Sequence, residues 1–102
     1  MADELYTISV AAERCGMHEQ SLRMYERRGL ITPQRSAGNM RRFSDADVEH
    51  IRFIKRLVDD LGVNLAGVEV ILHMRQQLME AQGELEALRR EVGMMDERGT
   101  EL

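Results

Sequence analysis

SVAAERCGMHEQSLRMYERRGLITPQRSAGNMRRFS, residues Ser9–Ser44, is the stretch on which the fold turns. Two short helical segments flank Gly16, whose freedom at positive φ permits a sharp reversal between them. Ser9 is a suitable N-cap for a first helix over Val10–Cys15, with Val10, Ala11 and Cys15 supplying its apolar face. The second helix is expected over His18–Arg28, with Leu22 and either Tyr25 or Met24 turned inward. Gly29 sits just past its end, where a left-handed residue closes a helix. Beyond it Leu30 and Ile31 are β-prone and Pro33 punctuates. Gly38-Asn39 then offers a tight turn before Met40–Phe43, the pattern of a two-stranded wing.

Working outward, Tyr6-Thr7-Ile8 is a short β-prone lead-in. Downstream, Ser44-Asp45-Ala46-Asp47 combines an N-cap with acids in a first helical turn, which suits the helix dipole. Val48, Ile51, Ile54, Leu57, Val58 and Leu61 follow at spacings of three and four, predicting an amphipathic helix of about 17 residues that stops at Gly62. Asn64 can cap the next helix. From Ile71 the pattern becomes heptad: Ile71, Leu78, Leu85 and Val92 at one position, and Met74, Ala81, Leu88 and Met95 three residues later. Sustained seven-residue spacing is the mark of a coiled-coil seam. Gly83 weakens it by about 1 kcal/mol relative to alanine. A second copy of the chain is the economical partner for such a seam, so a homodimer is expected through Ile71, Met74, Leu78, Ala81, Leu85, Leu88 and Val92. The alternative is a helix that folds back on its own domain.

The expected fold class is mainly α: a winged helix-turn-helix with a small β wing over residues 1–72, a dimerisation coiled-coil helix over 73–95, and a fraying tail over 96–102. At 102 residues the chain holds one domain with an extension, small enough for oligomerisation to add useful stability. No apolar run approaches the ~18 residues that span a bilayer. The first residues carry Asp3 and Glu4 where a signal peptide would carry basic residues. A cytoplasmic, nucleoid-associated location is therefore expected.

Charge is distributed unevenly. The formal net charge is −4, yet Ser21–Phe43 holds Arg23, Arg27, Arg28, Arg35, Arg41 and Arg42 against one acid, Glu26. Folding alone gives little reason to gather six arginines on two surface elements, whereas a polyanion does. In a helix-turn-helix the second helix enters the major groove with its N-terminal residues on base edges. Here those residues are His18, Glu19, Gln20 and Ser21: Gln20 can pair with adenine and His18 can donate to a purine acceptor. Arg23, one turn on, can reach phosphate or guanine. Tyr25 is either a phosphate contact or a core ring. Arg27 and Arg28 read as a solvated helix terminus. Adjacent strand residues face opposite ways, so one of Arg41 and Arg42 is expected to reach the DNA and the other to brace the wing. Asn39 at the tip is a further phosphate candidate, and Phe43 a core anchor.

Nothing catalytic emerges: there is no phosphate-cradling glycine loop and no nucleophile–histidine–acid arrangement. The single cysteine, Cys15, precludes an internal disulfide, and Cys15, His18, His50 and His73 lack the spacing of a metal site. Cys15 is expected to be a small buried apolar residue, His50 and His73 surface residues, and the methionines packing residues. No cofactor is expected.

The order Tyr6-x-Ile8-Ser9-Val10-Ala11-Ala12, then SLRMYERRGLI (Ser21–Ile31), Pro33, Arg35, Gly38 and RRFS (Arg41–Ser44), resembles the MerR family of winged helix-turn-helix regulators. The likeness covers about residues 5–72. Within the family, ISVAA, GMH and GVNLAGV (Gly62–Val68) are similar to the heat-shock repressor, HspR-type branch. The resemblance implies a third helix and a second, helical wing over Ser44–Leu72, and a terminal helix paired antiparallel with its mate. It places DNA contacts around His18, Gln20, Ser21, Arg23 and Tyr25 and on Arg41 or Arg42. It also implies repression of chaperone genes through an inverted repeat in double-stranded DNA, with the chaperone DnaK as co-repressor. The cysteines that metal- and oxidation-sensing members carry beyond the dimer helix are absent from this sequence, as is the C-terminal ligand domain of drug-sensing members. Two other functions stay open at this point: a MerR-type activator with an unidentified signal, and a chaperone-binding adaptor.

Overall fold

The computed structural model describes residues 4–100, with side chains described as far as Met95. The chain divides into two units, one up to Val68 and one from Glu69 on, so the boundary falls a few residues before the expected end at 72. The first unit runs α1 (Ile8–Cys15), α2 (Glu19–Arg27), β1 (Gln34–Arg35), β2 (Arg41–Arg42) and α3 (Asp45–Lys55), which widens into a π turn over Arg56–Asp60; α4 (Leu65–Thr100) begins in this unit and makes up the second. Mainly α with a small β wing is the observed class.

α1 begins earlier than its sequence indicates. Thr7, not Ser9, is the N-cap, and its side chain accepts from the Val10 N–H at 3.3 Å. Moving the start by two residues rotates the buried face onto Ala11, Ala12 and Cys15 and leaves Val10 exposed. Gly16 stands at φ 65 and closes the helix with its N–H on the Ala12 and Glu13 carbonyls. α2 then buries Leu22 and Tyr25, while Met24 is only half-buried. Gly29 at φ 75 is the left-handed residue after it. Leu30 and Ile31 join no strand; both are buried in the core.

The wing is shorter than expected. Antiparallel β1 and β2 pair Gln34 with Arg42 and Arg35 with Arg41. The tip turns through Ala37 and Gly38, closed by the Asn39 N–H on the Ser36 carbonyl at 2.9 Å, and Asn39 follows at φ 60. Phe43, 1% exposed, anchors the ribbon, and its N–H and carbonyl exchange hydrogen bonds with Tyr6 at 2.9 and 2.7 Å. Tyr6 is strapped in turn by its hydroxyl, which donates to Asp45 at 2.7 Å, and by the Arg14 guanidinium 4.2 Å over its ring. The Asp45 bond, burial and the nearby carboxylates hold the Tyr6 phenol above its ordinary range, against the pull of Arg14.

α3 opens with a reciprocal capping box. The Ser44 hydroxyl accepts from the Asp47 N–H at 3.1 Å, and the Asp47 carboxylate accepts from the Ser44 N–H at 2.9 Å. Ser44→Ala removes one half of it and is expected to destabilise the unit by about 1 kcal/mol, read as a lowered urea midpoint with an unchanged slope. Val48, Ile51, Ile54 and Leu57 are buried as their spacing predicts. The pattern then fails: Val58 is half-buried and Leu61 is 69% exposed. The π turn inserts extra residues into the helical repeat, so positions beyond Leu57 lose the inward phase. The helix thus runs 11 regular residues and five more in the π turn, close to the expected length, with Gly62 at φ 67 just beyond it. Asn64 does cap α4, accepting from the Gly67 N–H at 2.8 Å. A Cβ on Gly67 would lie 2.8 Å from Val63 Cγ1, so this position admits only hydrogen.

α4 spans 36 residues, about 54 Å at 1.5 Å per residue. Along it Met74, Leu78, Leu85, Leu88, Val92 and Met95 are each roughly half exposed or more, Ala81 is exposed and Ile71 half-buried. Met40, Met79 and Met94 are exposed too, so within one chain most of the methionines are not packing residues. The expected fraying over 96–102 lies outside the described side chains. None of the described helices is long and apolar enough to cross a membrane.

Candidate nucleic-acid interface

Leu22 and Tyr25, at 1% and 5% exposure, set the roll of α2 against the core. With the inward face so defined, a period of 3.6 turns Gln20, Arg23 and Arg27 outward together, at spacings of three and four. Gln20 and Arg27 are exposed and Arg23 half-buried. His18 is the N-cap; its imidazole makes no capping bond and is exposed, while its carbonyl accepts from the Ser21 N–H at 3.0 Å. The N-terminal end of α2 therefore presents His18, Gln20 and Ser21 around one turn, with Arg23 held toward it by Glu19 at 3.2 Å. At ordinary salt a surface pair of this kind is easily exchanged for a phosphate.

Tyr25 belongs to the core. Burial, followed by the charge of Asp59, raises its phenol above the ordinary range. The ring packs in the core. Arg27 is the converse: read from sequence as a solvated terminus, it shares the outward face with Gln20 and Arg23. The three-four-seven spacing would have found it.

The wing separates its arginines by face. Arg35 and Arg41 are register partners, and both reach Glu26 on α2, Arg41 Nε at 2.8 Å and Arg35 Nη2 at 3.0 and 3.2 Å. Arg42 occupies the alternate position and makes no ion pair among the described residues. Arg41 thus braces the wing against α2. Asn39 is exposed at the tip, its carbonyl accepting from Arg35 Nη1 at 3.4 Å. Arg27, Arg28 and Arg42 are guanidinium groups without a carboxylate partner among the described residues, concentrated on the two elements that a duplex would meet.

Residues outside the interface have other occupations. His50 is not a free surface residue: it is half-buried, with Nε2 2.9 Å from the Leu30 carbonyl, and secures the segment leaving α2. Sequence had no means of foreseeing a partner twenty residues away. Cys15 is buried, with its thiol 3.8 Å from the Val48 carbonyl, and burial pushes its pKa up. It borders a cleft of about 260 Å³ with Glu49, Arg52, Lys55, Arg56 and Asp60. The charges there are mostly spent on neighbours: Arg52 on Glu49 at 2.6 Å and on the Arg14 carbonyl at 2.9 Å, and Lys55 on Asp59 at 3.8 Å.

Comparison with known proteins agrees with this geometry. Residues 6–75 match the MerR HTH family regulatory protein pattern. The chain belongs to the MerR family. Other members it matches are HTH-type transcriptional regulators. Among MerR relatives it is 46% identical over 78 residues to a putative heat shock protein HspR of Streptomyces coelicolor, covering 76% of this chain and 52% of that one. It is 46% identical over 69 residues to the HTH-type transcriptional regulator MlrA of Salmonella typhimurium, covering 67% of this chain and 28% of the relative. The chain thus spans about half the length of the first relative and under a third of the second. A similar solved structure is HiNmlR, a MerR family regulator lacking the sensor domain, bound to promoter DNA. It aligns with a TM-score of 0.63 at 26% identity over 79% of this chain and 69% of that one.

Proposed function

We propose that the chain is a homodimeric repressor of heat-shock or chaperone genes that binds an inverted repeat, α2 in the major groove and the wing alongside. The observation that carries the heat-shock assignment is the 46% identity to the HspR relative across 78 residues. The contacts are His18, Gln20 and Ser21 to base edges, and Arg23, Arg27, Asn39 and Arg42 to phosphates. Arg41 serves by bracing. Two copies meet along the apolar stripe of α4, which no described residue of the same chain covers over most of its length. The chaperone DnaK, implied by the family likeness, is the proposed co-repressor. The dimer acts in the cytoplasm, on the nucleoid.

A gel shift on duplex from upstream of the source organism's chaperone operon, with and without DnaK, tests the reading. Retardation strengthened by DnaK is expected; equal affinity for unrelated DNA would overturn it. Affinity should fall steeply with salt, by about 0.9 log units per tenfold salt for each phosphate neutralised. Arg42→Ala is expected to weaken binding on any sequence and to reduce the salt slope by roughly 1 per protomer. An unchanged slope would remove Arg42 from the interface. Footprinting with RNA polymerase separates repression from activation, since a repressor excludes the polymerase and an activator retains it on a distorted promoter.

A further inference from the structure

We infer that Glu26 is a positioning residue for DNA recognition: it fixes the wing against α2 and withholds two of the wing's arginines from indiscriminate contact with phosphate. The inference rests on the reading of α2 and the wing as the docking elements.

Arg35 and Arg41 sit directly opposite each other in the ribbon. Like charges in that relation drive a two-stranded ribbon apart, and two residues per strand are too few to stand alone. The Glu26 carboxylate answers both difficulties. Its oxygens accept from Arg35 Nη2 at 3.0 and 3.2 Å and from Arg41 Nε at 2.8 Å. Its side chain is only 21% exposed, so solvent screens these charge-assisted bonds incompletely. Arg35 continues the chain of bonds through Nη1 to the Asn39 carbonyl. One acid on α2 therefore grips both strands and, at one remove, the turn. The other register pair, Gln34 and Arg42, lies outside this network. Glu26 is also the one acid within Ser21–Phe43.

Loss of that carboxylate has two consequences of opposite sign. The wing loses its set angle to α2, so the helix and Arg42 no longer reach one half-site in register. Meanwhile two guanidinium groups per protomer become free to meet any phosphate. Discrimination falls while general attraction to polyanions rises. A residue that merely stabilised the fold would lower both together.

The test compares the full chain with E26Q, E26D, and E26Q combined with R35Q and R41Q. Each is titrated against a duplex selected by the parent protein from a random-sequence pool, and against a scrambled duplex of equal length, over a range of salt. For E26Q, the preference for the selected duplex is expected to fall about tenfold, within the usual range of specificity ratios. Binding to the scrambled duplex should tighten, and the salt slope should steepen by roughly 0.9 per phosphate gained. E26D, which keeps the charge, should recover most of the preference, and the triple variant should lose the extra slope. Parallel loss on both duplexes, parallel gain on both, or no change would each overturn the inference. If E26Q does not fold by circular dichroism, R35Q with R41Q takes its place, expected to lose preference with no steeper slope; retained preference overturns the idea. A parent protein that prefers no duplex refutes the docking reading itself, a result distinct from an unaltered ratio in E26Q.

Discussion

Leu78→Lys together with Leu85→Lys is expected to yield a monomer that binds its operator at least a hundredfold more weakly than the parent. The two leucines lie two turns apart on α4, at 57% and 48% exposure, and Met74, Leu88 and Val92 extend the same face at 55% or more. Burying a leucine stabilises by about 1.5–3 kcal/mol, so the proposed symmetric seam, using each residue twice, would gain enough to hold two chains together. Lysine reverses the sign at each site by placing a solvated ammonium against an apolar partner. Two half-sites bound as one ligand gain about 10²–10⁴ over either alone, and the monomer forfeits that factor with α2 and the wing intact. Sedimentation equilibrium and operator titration measure the two effects. A variant that stays dimeric would show that the seam lies elsewhere; a monomer with parental affinity would show that one half-site suffices.

Phe43→Ala should produce the largest loss of stability in the chain, about 3–5 kcal/mol. Phe43 is 1% exposed and sits between β2 and the α3 capping box, its backbone paired both ways with Tyr6. A unit of this size folds with only about 5–15 kcal/mol in hand, and each kcal/mol moves the midpoint by about 4–8 °C. The melting temperature should therefore drop by about 12–40 °C. Phe43→Leu should retain most of it, and Arg42→Ala, on the same ribbon, should not move it measurably. Equal losses for Phe43→Ala and Arg42→Ala would mean that the wing carries no weight in the core.

Where periodicity meets burial directly, reading the residues in order was enough. Val48, Ile51, Ile54 and Leu57 fall on one helical stripe and are buried together. The Ser44 capping box and the Asn64 cap are local, made within three residues, so their partners are in view in the sequence. Leu61 was misplaced because a change of helical repeat leaves no mark in the pattern of apolar residues before it. Ser9 lost the cap to Thr7 because two hydroxyl residues two positions apart are equivalent until the core selects a register.

For the interface, the concentration of arginine on α2 and the wing was legible, but its division of labour was not. Strand alternation required that Arg41 and Arg42 point opposite ways without saying which way each points. Glu26, fifteen residues from Arg41 along the chain, resolved that choice by ion pairing at 2.8 Å. Tyr25 could not be assigned as contact or core until Leu22 fixed the roll of α2.

By itself, the sequence determined the order of helices and wing, the basic face, the heptad stripe and the family resemblance, because these follow from spacing and side-chain chemistry within a few residues. The tertiary structure alone decided that Glu26 holds Arg35 and Arg41, that His50 supports Leu30, and that the Tyr25 ring packs in the core. Those outcomes depend on partners distant along the chain, whose proximity exists only once the helices have packed.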